Sequence, residues 1–493
     1  MTTFIEDVLP IALPIVGTLG LVLATTHAVL RVRDVRAAVG WVAIIVALPI
    51  VGALLYWLLG INRVRRRAVA LLRDRERLPP GVDSEGDLPA DASPSGLLQP
   101  VALPDLVRVV DRVTMRPLTL GNRVVPLVNG DEAYPAMLAA IDGATSSITL
   151  MTYIFDRDAV GLRFVDALAR AHARGVEVRV MVDAVGARYS FPTIVRTLQK
   201  RRVPVARFNP TLFPPWRWTY ANLRNHRKIM VVDGVLGFTG GINLRAGHVL
   251  AGPSRHPVLD LHFRIEGPVV EHMQRTFAED WLFATRERLS EEGFFPIVAA
   301  TPYGVSEGRV IARGITDGPD VDIDKLKWVL MGALSCATRR VRIATPYFLP
   351  EAELVAAMIT AMLRGVELEL VLSQKNNQVL VVWATDAVLP ELVQHGAKVW
   401  KTTGPFDHSK VVVVDDSWVL LGSANLDPRS LRLNFEFNIE CHDQALAQTM
   451  HAILDMKRMG GRLETLERLV GKDFKTRLRR VRSGVARLFL PYL

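Results

Sequence analysis

The stretch RNHRKIMVVDG (residues 224–234) has a second copy in the same chain, HSKVVVVDD (residues 408–416). Each copy reads His-x-Lys, four apolar residues and Asp, and the apolar run predicts a buried strand. Alternate side chains of an extended chain share one face, so the imidazole and the ammonium group of each copy point to the same side. The copies therefore predict two equivalent pairs: His226 with Lys228, and His408 with Lys410.

The elements around the two motifs are also repeated. Each half contains an apolar strand, a helical stretch that ends at a glycine, and a second apolar strand. These elements are ITLMTYIF (148–155), Gly175 and VEVRVMVD (176–183) in the first half, and VRIATPYF (341–348), Gly365 and VELELVLS (366–373) in the second. Tyr153 and Tyr347 are predicted to occupy matching positions. One α/β unit used twice predicts an α/β fold with two copies of one site.

A glycine-rich turn follows each motif, with the sequences Gly-Gly-Ile-Asn (240–243) and Gly-Ser-Ala-Asn (422–425). Glycine lets backbone amides approach a phosphate closely, and Asn and Ser side chains donate hydrogen bonds to its oxygens. Asn243, Ser423 and Asn425 are therefore candidate phosphate-binding residues.

The two His-Lys pairs suit exchange at a phosphodiester. That reaction requires a nucleophile for phosphorus, a proton donor for the leaving alkoxide, and positive charge beside the non-bridging oxygens. One imidazole must be neutral and the other protonated, so the pair titrates as a coupled unit. Asp233 and Asp415 complete the motifs and belong to the candidate catalytic set, although they are equally suited to bracing loops. Cys336 and Cys441 lie far apart in sequence and lack metal-ligand spacing, so neither a disulfide framework nor a zinc site is expected.

Two long apolar runs, residues 8–30 and 39–59, precede these motifs. Each is long enough to cross a bilayer as a helix, which predicts a transmembrane helical hairpin. Arginine is concentrated after the second run, beginning with NRVRRR (62–67), and this bias predicts a cytoplasmic catalytic region. A cleaved signal peptide is one alternative, but Glu6 and Asp7 precede the first run where such peptides carry positive charge. Two buried helices of a soluble core are the other.

Composition is consistent with a lipid-facing protein. Apolar residues make up 49% of the chain, and the formal net charge is +10. A basic chain favours an acidic partner, either nucleic acid or an anionic lipid surface. Charge alone does not distinguish these partners.

With these motifs, the sequence resembles the phospholipase D superfamily, and within it the bacterial cardiolipin synthases. The resemblance extends over essentially the whole chain, and GSANLDPRSLRLNFEFN (422–438) is its most specific stretch. It implies two phospholipase D-like α/β sandwich halves packed as a pseudo-dimer, with one active site where they meet. It also implies transfer through a phosphohistidine without a metal ion or other cofactor, with His226 as the nucleophile and His408 as the general acid and then base.

The resemblance further suggests partners for the two histidines. Glu436 matches the family acid that hydrogen-bonds a motif histidine and fixes its tautomer. Asp260 is the candidate counterpart from the first half, although it lies further from its motif than Glu436 does.

Domain boundaries follow from the hydropathy, the repeat and the resemblance. The predicted segments are a transmembrane hairpin with a basic juxtamembrane segment (1–66), a linker (67–115), two phospholipase D-like domains (116–300 and 301–480) and a basic amphipathic tail (481–493).

The resulting functional hypothesis is transfer of a phosphatidyl group between two phosphatidylglycerol molecules, with release of glycerol. The expected partners are anionic phospholipids and the membrane, with no nucleic acid, and the sequence does not give an oligomeric state. The expected location is a bacterial inner membrane, crossed more than once. Three alternatives remain: a phospholipase D that uses water as the acceptor, a nuclease of the same superfamily, and a non-catalytic lipid-binding scaffold.

Overall fold

The structure is a computed structural model that describes residues 9–32, 35–57, 103–209, 223–252, 254, 256–296, 309–319, 322–471 and 473–488. The chain divides into two compact units, one of residues 1–77 with 212–222 and the other of residues 78–211 with 223–493. Residues 58–66, the predicted basic juxtamembrane segment, lie outside the described residues.

In the described part of the N-terminal unit, three apolar helices contact one another, α1 (Leu9–Arg31), α2 (Val35–Ala47) and α3 (Pro49–Leu55). Within the described ranges, α1 is the one helix that is long and apolar enough to cross a membrane, over Pro14–Arg31. The phenol oxygen of Tyr56 lies 2.7 Å from Nδ1 of His27.

The second predicted membrane span, residues 39–59, is not a continuous helix. It is divided at Leu48, where the backbone leaves the helical region with φ −135°. Pro49 follows, and a proline ring disfavours helical geometry in the residue before it. The described residues therefore do not support the predicted two-span hairpin.

The larger unit is built from two halves of like design. The strands of the first half are β1 (Thr119–Val128), β2 (Ser147–Thr152), β3 (Glu177–Asp183), β4 (Val205–Phe208), β5 (Arg224–Asn225), β6 (Ile229–Val232), β7 (Leu236–Gly240), β8 (Val258–Leu259) and β9 (Leu261–Glu266). Those of the second are β10 (Val310–Asp317), β11 (Arg340–Ala344), β12 (Glu367–Ser373), β13 (Lys398–Thr402), β14 (Phe406–Asp407), β15 (Val411–Val414), β16 (Trp418–Gly422), β17 (Asn434–His442) and β18 (Arg462–Leu463).

Helices precede, connect and follow these strands. They are α4 (Pro104–Thr114), α5 (Asn129–Gly143), α6 (Ala159–Ala173), α7 (Ile194–Lys200), α8 (Val269–Thr285), α9 (Glu291–Phe294), α10 (Lys325–Cys336), α11 (Ala352–Leu363), α12 (Val379–Gln394), α13 (Pro428–Arg432), α14 (Gln444–Arg458), α15 (Leu466–Val470) and α16 (Phe474–Leu488). Each half has its own buried apolar core beneath its helices.

The strand order repeats between the halves. From the middle of the sheet outward, the first half runs β1-β9-β7-β6-β2-β3-β4 and the second runs β10-β17-β16-β15-β11-β12-β13, with β18 at its edge. The two half-sheets join where β1 and β10 pair in antiparallel fashion. An antiparallel pair of equivalent strands relates the halves by an approximate two-fold axis. This arrangement confirms the predicted α/β fold of two similar halves.

Two short strand pairs cross between the halves. Strand β5, directly before His226, pairs with β17 of the second half, and β14, directly before His408, pairs with β8 of the first. The chain that leads into each motif is therefore held by the opposite half.

Helix α4 changes the extent of the predicted linker, residues 67–115. Leu106, Val107 and Val110 of this helix are buried, and Leu106 and Val110 belong to the core of the second half. Their spacing of three and four residues gives one apolar face, which packs against α10. Residues 104–114 are thus part of the larger unit, because that face is covered by the core. Most of the remaining linker lies outside the described residues.

Candidate active site

The two motif histidines face each other across the junction between the halves. The ring centroids of His226 and His408 are 6.5 Å apart, with the rings nearly perpendicular at 82°. The backbone amide of His226 donates to the carbonyl of Phe435 at 2.9 Å, and that of His408 donates to the carbonyl of Leu259 at 2.7 Å. The crossed strand pairs therefore fix both backbones, and the duplicated motif forms one composite site.

Each histidine is paired with a carboxylate from the opposite half. Nδ1 of His226 lies 2.9 Å from Oε1 of Glu436, and Nδ1 of His408 lies 2.9 Å from Oδ2 of Asp260. A carboxylate on Nδ1 fixes the tautomer and orientation of an imidazole, so Nε2 is the nitrogen directed toward chemistry.

Asp260 and Glu436 occupy equivalent positions in their halves. The next residue in each case, Leu261 or Phe437, accepts a backbone hydrogen bond from the turn residue Gly241 or Ser423. The structure thus brings Asp260 to His408 as it brings Glu436 to His226. The greater sequence distance of Asp260 from its motif reflects a longer loop before β9.

The motif lysines line the same site and are buried. Nζ of Lys228 donates to the carbonyl of His226 at 2.5 Å, and Lys410 makes the same bond to the carbonyl of His408. Burial lowers the pKa of Lys228 to about 7, although Glu436 opposes the shift. Burial likewise lowers the pKa of Lys410 to about 8, against the opposing charge of Asp260. A phosphate placed between these ammonium groups favours their charged forms.

Burial also determines the protonation of the histidines. It lowers the pKa of His226 to about 4, and the carboxylate of Glu436 only partly opposes this. Burial, followed by the charges of Lys410 and Lys228, places the pKa of His408 well below its ordinary value. These shifts favour the neutral form of both imidazoles near pH 7 in the free enzyme. A bound phosphodiester adds negative charge and raises the affinity of one imidazole for a proton.

The two carboxylates differ in their own ionisation. Burial alone raises the pKa of Glu436, but His226, Lys228 and the hydroxyl of Ser423 outweigh it and leave the pKa lowered. For Asp260, burial outweighs the opposing charge of Lys410, and the pKa is raised. The approximate two-fold symmetry of the backbone is therefore not kept in the electrostatics of the site.

The predicted phosphate-binding turns have mixed roles. Oδ1 of Asn243 accepts from the backbone amide of Ile154 at 3.0 Å, and Nδ2 of Asn425 donates to Oγ of Ser430 at 3.0 Å. Ser423 donates its hydroxyl hydrogen bond to Oε2 of Glu436 at 2.5 Å. Its hydroxyl is therefore committed to the orienting carboxylate rather than to a substrate phosphate.

Gly241 is the counterpart of Ser423, and no side chain fits there. A Cβ added at Gly241 would lie 2.1 Å from Oδ1 of Asp260. We expect Gly241→Ala to displace Asp260 from His408 and to lower kcat by about 10- to 100-fold, the usual effect of losing an orienting partner. Gly143→Ala is the matched control, because nothing lies within 4 Å of its added Cβ. Unchanged kcat in Gly241→Ala would show that the contact does not position Asp260.

Asp233 and Asp415 do not join this cluster, which corrects their inclusion in the catalytic set. Each follows a motif strand in a left-handed turn, with φ of 52° and 50°. Their carboxylates instead accept hydrogen bonds from three successive backbone amides and one threonine hydroxyl. The donors are Thr145, Ser146 and Ser147 for Asp233, and Thr338, Arg339 and Arg340 for Asp415. They brace the loop that precedes a central strand.

The two tyrosines contact the histidines, but from positions that do not match. The centroid of Tyr153 is 5.2 Å from that of His226, and the centroid of Tyr347 is 6.4 Å from that of His408. The hydroxyl groups of Thr152 and Thr345 each donate to the carbonyl two residues later, so these threonines are equivalent. Tyr347 therefore lies one residue further along its half than Tyr153 does, and the predicted equivalence is wrong by one position.

Three residues near the site were missed by the sequence interpretation. Nδ2 of Asn434 donates to Oε1 of Glu436 at 3.0 Å. The side chain of Arg227 donates to the carbonyl of Glu436 at 3.0 Å and forms a 2.7 Å ion pair with Asp280. Asn434 and Arg227 lie inside the quoted motifs, so their position was a usable signal. Asp280 is distant from both motifs in sequence, and no pattern indicated it.

The glycines that end the first helix of each repeat behave as predicted. Gly175 and Gly365 both have φ of 93°, a left-handed conformation that glycine adopts without strain. They stop α6 and α11 before the second strand of each half.

The described part of the chain shows no candidate metal site. Among those residues, no group of three or more His, Cys, Asp and Glu side chains is arranged to hold a metal ion.

Two family models match the chain. The model for the cardiolipin synthase, phospholipase D-like domain matches residues 137–281 and 330–458. The model for the N-terminal segment of phospholipase D-nuclease proteins matches residues 20–60. The double match of the first model coincides with the two halves of the sheet.

Curated relatives align over almost the entire chain. The cardiolipin synthase of Geobacillus kaustophilus (strain HTA426) is 30% identical over 94% of this chain and 90% of its own length. Cardiolipin synthase A of Pseudomonas putida (strain GB-1) is 31% identical over 98% of both chains. The crystal structure of phosphatidylserine synthase from Haemophilus influenzae Rd KW20 shares the fold, with a TM-score of 0.59 at 14% identity, over 78% of this chain and 97% of that one. The chain belongs to the cardiolipin synthase family of phospholipase D-like proteins.

Proposed function

We propose that this protein is a cardiolipin synthase that transfers a phosphatidyl group from one phosphatidylglycerol molecule to another and releases glycerol. The observation that carries the proposal is the facing pair of histidines, 6.5 Å apart, each with a carboxylate from the opposite half on Nδ1. Two such imidazoles provide the nucleophile and the proton donor that phosphodiester exchange requires. Family membership supplies the substrate class.

In the first half-reaction, Nε2 of His226 attacks the phosphorus of the donor lipid. The new P–N bond replaces the P–O bond to glycerol, and His408 gives its proton to the departing oxygen. Lys228 and Lys410 neutralise the non-bridging oxygens as charge develops. His226 is assigned as the nucleophile from its resemblance to the family pattern.

In the second half-reaction, His408 accepts the proton of the headgroup hydroxyl of the second lipid. The hydroxyl oxygen attacks phosphorus, a P–O bond replaces the P–N bond, and His226 is released. Asn243 and Asn425 lie in the turns beside the lysines, where they support the phosphate cradle. Glu436 and Asp260 hold the two imidazoles in the required tautomers throughout.

The proposal includes a membrane location with the catalytic unit in the cytoplasm of a bacterium. Helix α1 is long enough to anchor the chain, and the arginines at residues 63–77 follow the apolar region. Basic residues beside a membrane segment favour the cytoplasmic side. Phosphatidylglycerol, an anionic lipid, suits the basic character of the chain.

The direct test supplies the purified full-length chain with phosphatidylglycerol vesicles. Cardiolipin and glycerol are expected in equal amounts, measured by mass spectrometry and an enzymatic glycerol assay. The His226→Ala/His408→Ala chain is the control for contaminating activity. Phosphatidic acid with glycerol and no cardiolipin would identify a hydrolase and overturn the proposal.

The lysine pKa values predict the alkaline limb of the pH profile. An anionic substrate needs protonated lysines, and burial lowers the pKa of Lys228 to about 7 and that of Lys410 to about 8 in the free enzyme. We expect kcat/KM to fall as the pH rises through this range. Bound phosphate raises both pKa values, so kcat should fall only at higher pH. A kcat/KM that stays constant up to pH 10 would contradict this account.

A further inference from the structure

Helix α16 is held on the catalytic unit by a narrow face of small residues. Ser483 and Ala486 are each only 2% exposed, and the helix packs against α12. The guanidinium of Arg482 lies 4.4 Å from the ring centroid of Trp383 on α12, a cation–π contact. The helix is thus docked in a defined orientation, with its other faces turned outward.

The outward side carries a stripe of large apolar side chains. Phe474, Leu478, Val481 and Val485 are 78, 60, 64 and 51% exposed, respectively. Their spacing of four, three and four residues places them on one side of an α-helix. A stripe of this kind normally faces a core, but here it faces solvent.

Basic residues flank this stripe. The helix contains six basic residues and no acidic one, and five of the six are exposed: Lys475, Arg477, Arg480, Arg482 and Arg487. At 100° per residue, Lys475 and Arg482 lie on one side of the stripe and Arg477 lies on the other. An apolar stripe between basic margins is the pattern of a helix that lies in a membrane interface.

We propose that α16 binds the surface of an anionic phospholipid bilayer, with Phe474, Leu478, Val481 and Val485 in the interface and the flanking basic residues on the headgroups. Charge complementarity selects this occupant, because six positive charges without a negative one disfavour a second copy of the same helix. The contact is additional to the apolar N-terminal helix and holds the catalytic unit at the lipid surface. It goes beyond the proposed transfer reaction, since surface binding does not require turnover.

The test places an environment-sensitive fluorophore on Leu478→Cys in the full-length chain. Cys336 is changed to Ser, and the remaining Cys441 is buried. The chain is reconstituted in bilayers that contain lipids with a spin-label quencher near the headgroup. We expect blue-shifted, strongly quenched emission in phosphatidylglycerol bilayers and little quenching in phosphatidylcholine bilayers.

A charge-reversal pair tests the basic margin. Arg477→Glu/Arg480→Glu should weaken association by about fivefold for each basic residue lost, and quenching should fall accordingly. Arg163→Glu/Arg196→Glu is the matched control, because it makes the same charge change at exposed positions on α6 and α7. Equal quenching in phosphatidylcholine bilayers would overturn the assignment to anionic lipid. An unquenched probe whose emission depends on protein concentration would identify a second copy as the occupant and overturn the proposal.

Discussion

Alanine at either His226 or His408 is expected to lower turnover by about 10⁴-fold or more, because both imidazoles act in every catalytic cycle. The rings face each other at 6.5 Å in one site, so neither half retains a complete set of reacting groups. Two independent sites would instead leave about half of the activity in each single variant. Cardiolipin formation from phosphatidylglycerol vesicles is the measurement.

The control for this pair is His395→Ala, since that histidine is exposed and its Nδ1 contacts only a backbone carbonyl of its own helix among the described hydrogen bonds. We expect full activity for the control, and a cooperative unfolding transition for all three variants. A single His226 or His408 variant with half of the normal rate would contradict the composite site.

The second large effect is expected at Glu436 and Asp260, the carboxylates that each contact a histidine of the opposite half. Glu436→Gln and Asp260→Asn keep the size of each side chain but remove the charge that holds Nδ1–H of His226 or His408. We expect kcat to fall by about 10²- to 10⁴-fold, with KM less affected, as when an orienting carboxylate is neutralised. The pH profile of kcat should also change, because the imidazolium form loses its counter-charge.

Asp415→Asn is the matched control for these two variants. Its carboxylate is buried and hydrogen-bonded, like theirs, but it braces a loop away from the histidines. We expect it to lower stability and to leave the pH profile of the folded enzyme unchanged. If all three variants shifted Tm and left the pH profile alone, Glu436 and Asp260 would be structural residues only.

The coupling between the halves has a further measurable consequence. Glu436→Gln in a His226→Ala chain should lower kcat almost no further, because the carboxylate acts through that imidazole. The same change in a His408→Ala chain tests the opposite pairing. A stronger coupling of Glu436 to His408 than to His226 would contradict the crossed arrangement.

Local sequence was sufficient for the duplication and for most of the site. Apolar runs bounded by glycines gave the strands, because a strand buried on both faces reads as a continuous apolar segment. The motif spacing identified both His-Lys pairs, and Glu436 followed from the family pattern. These features depend on residues that are close together in the chain.

Features that depend on distant residues could not be predicted in this way. The crossing of β5 to β17 and of β14 to β8 involves two-residue strands, too short to leave a pattern. The one-position offset between Tyr153 and Tyr347, by contrast, can be read from the two strands, because tyrosine is the sixth residue of 148–155 and the seventh of 341–348. The hydrogen bonds of Thr152 and Thr345 agree with this alignment.

Asp233 and Asp415 illustrate a different limit. The motif includes them at a constant distance from the histidine, which suggested a shared chemical role. The strand between each histidine and its aspartate carries the aspartate away from the site, to a loop whose three backbone amides donate to the carboxylate. The constant spacing between histidine and aspartate reflects a requirement of the fold, because each copy of the strand needs an acceptor for the backbone amides at its end.

The central claim is that both halves form one site that carries one phosphatidyl group at a time. Rapid denaturing quench of the wild-type chain during turnover of phosphorus-labelled phosphatidylglycerol measures this directly, with the modified peptide identified by mass spectrometry. We expect at most one labelled group per chain, on the peptide that contains His226, and none in His226→Ala. Two groups per chain, or label divided equally between His226 and His408, would contradict it.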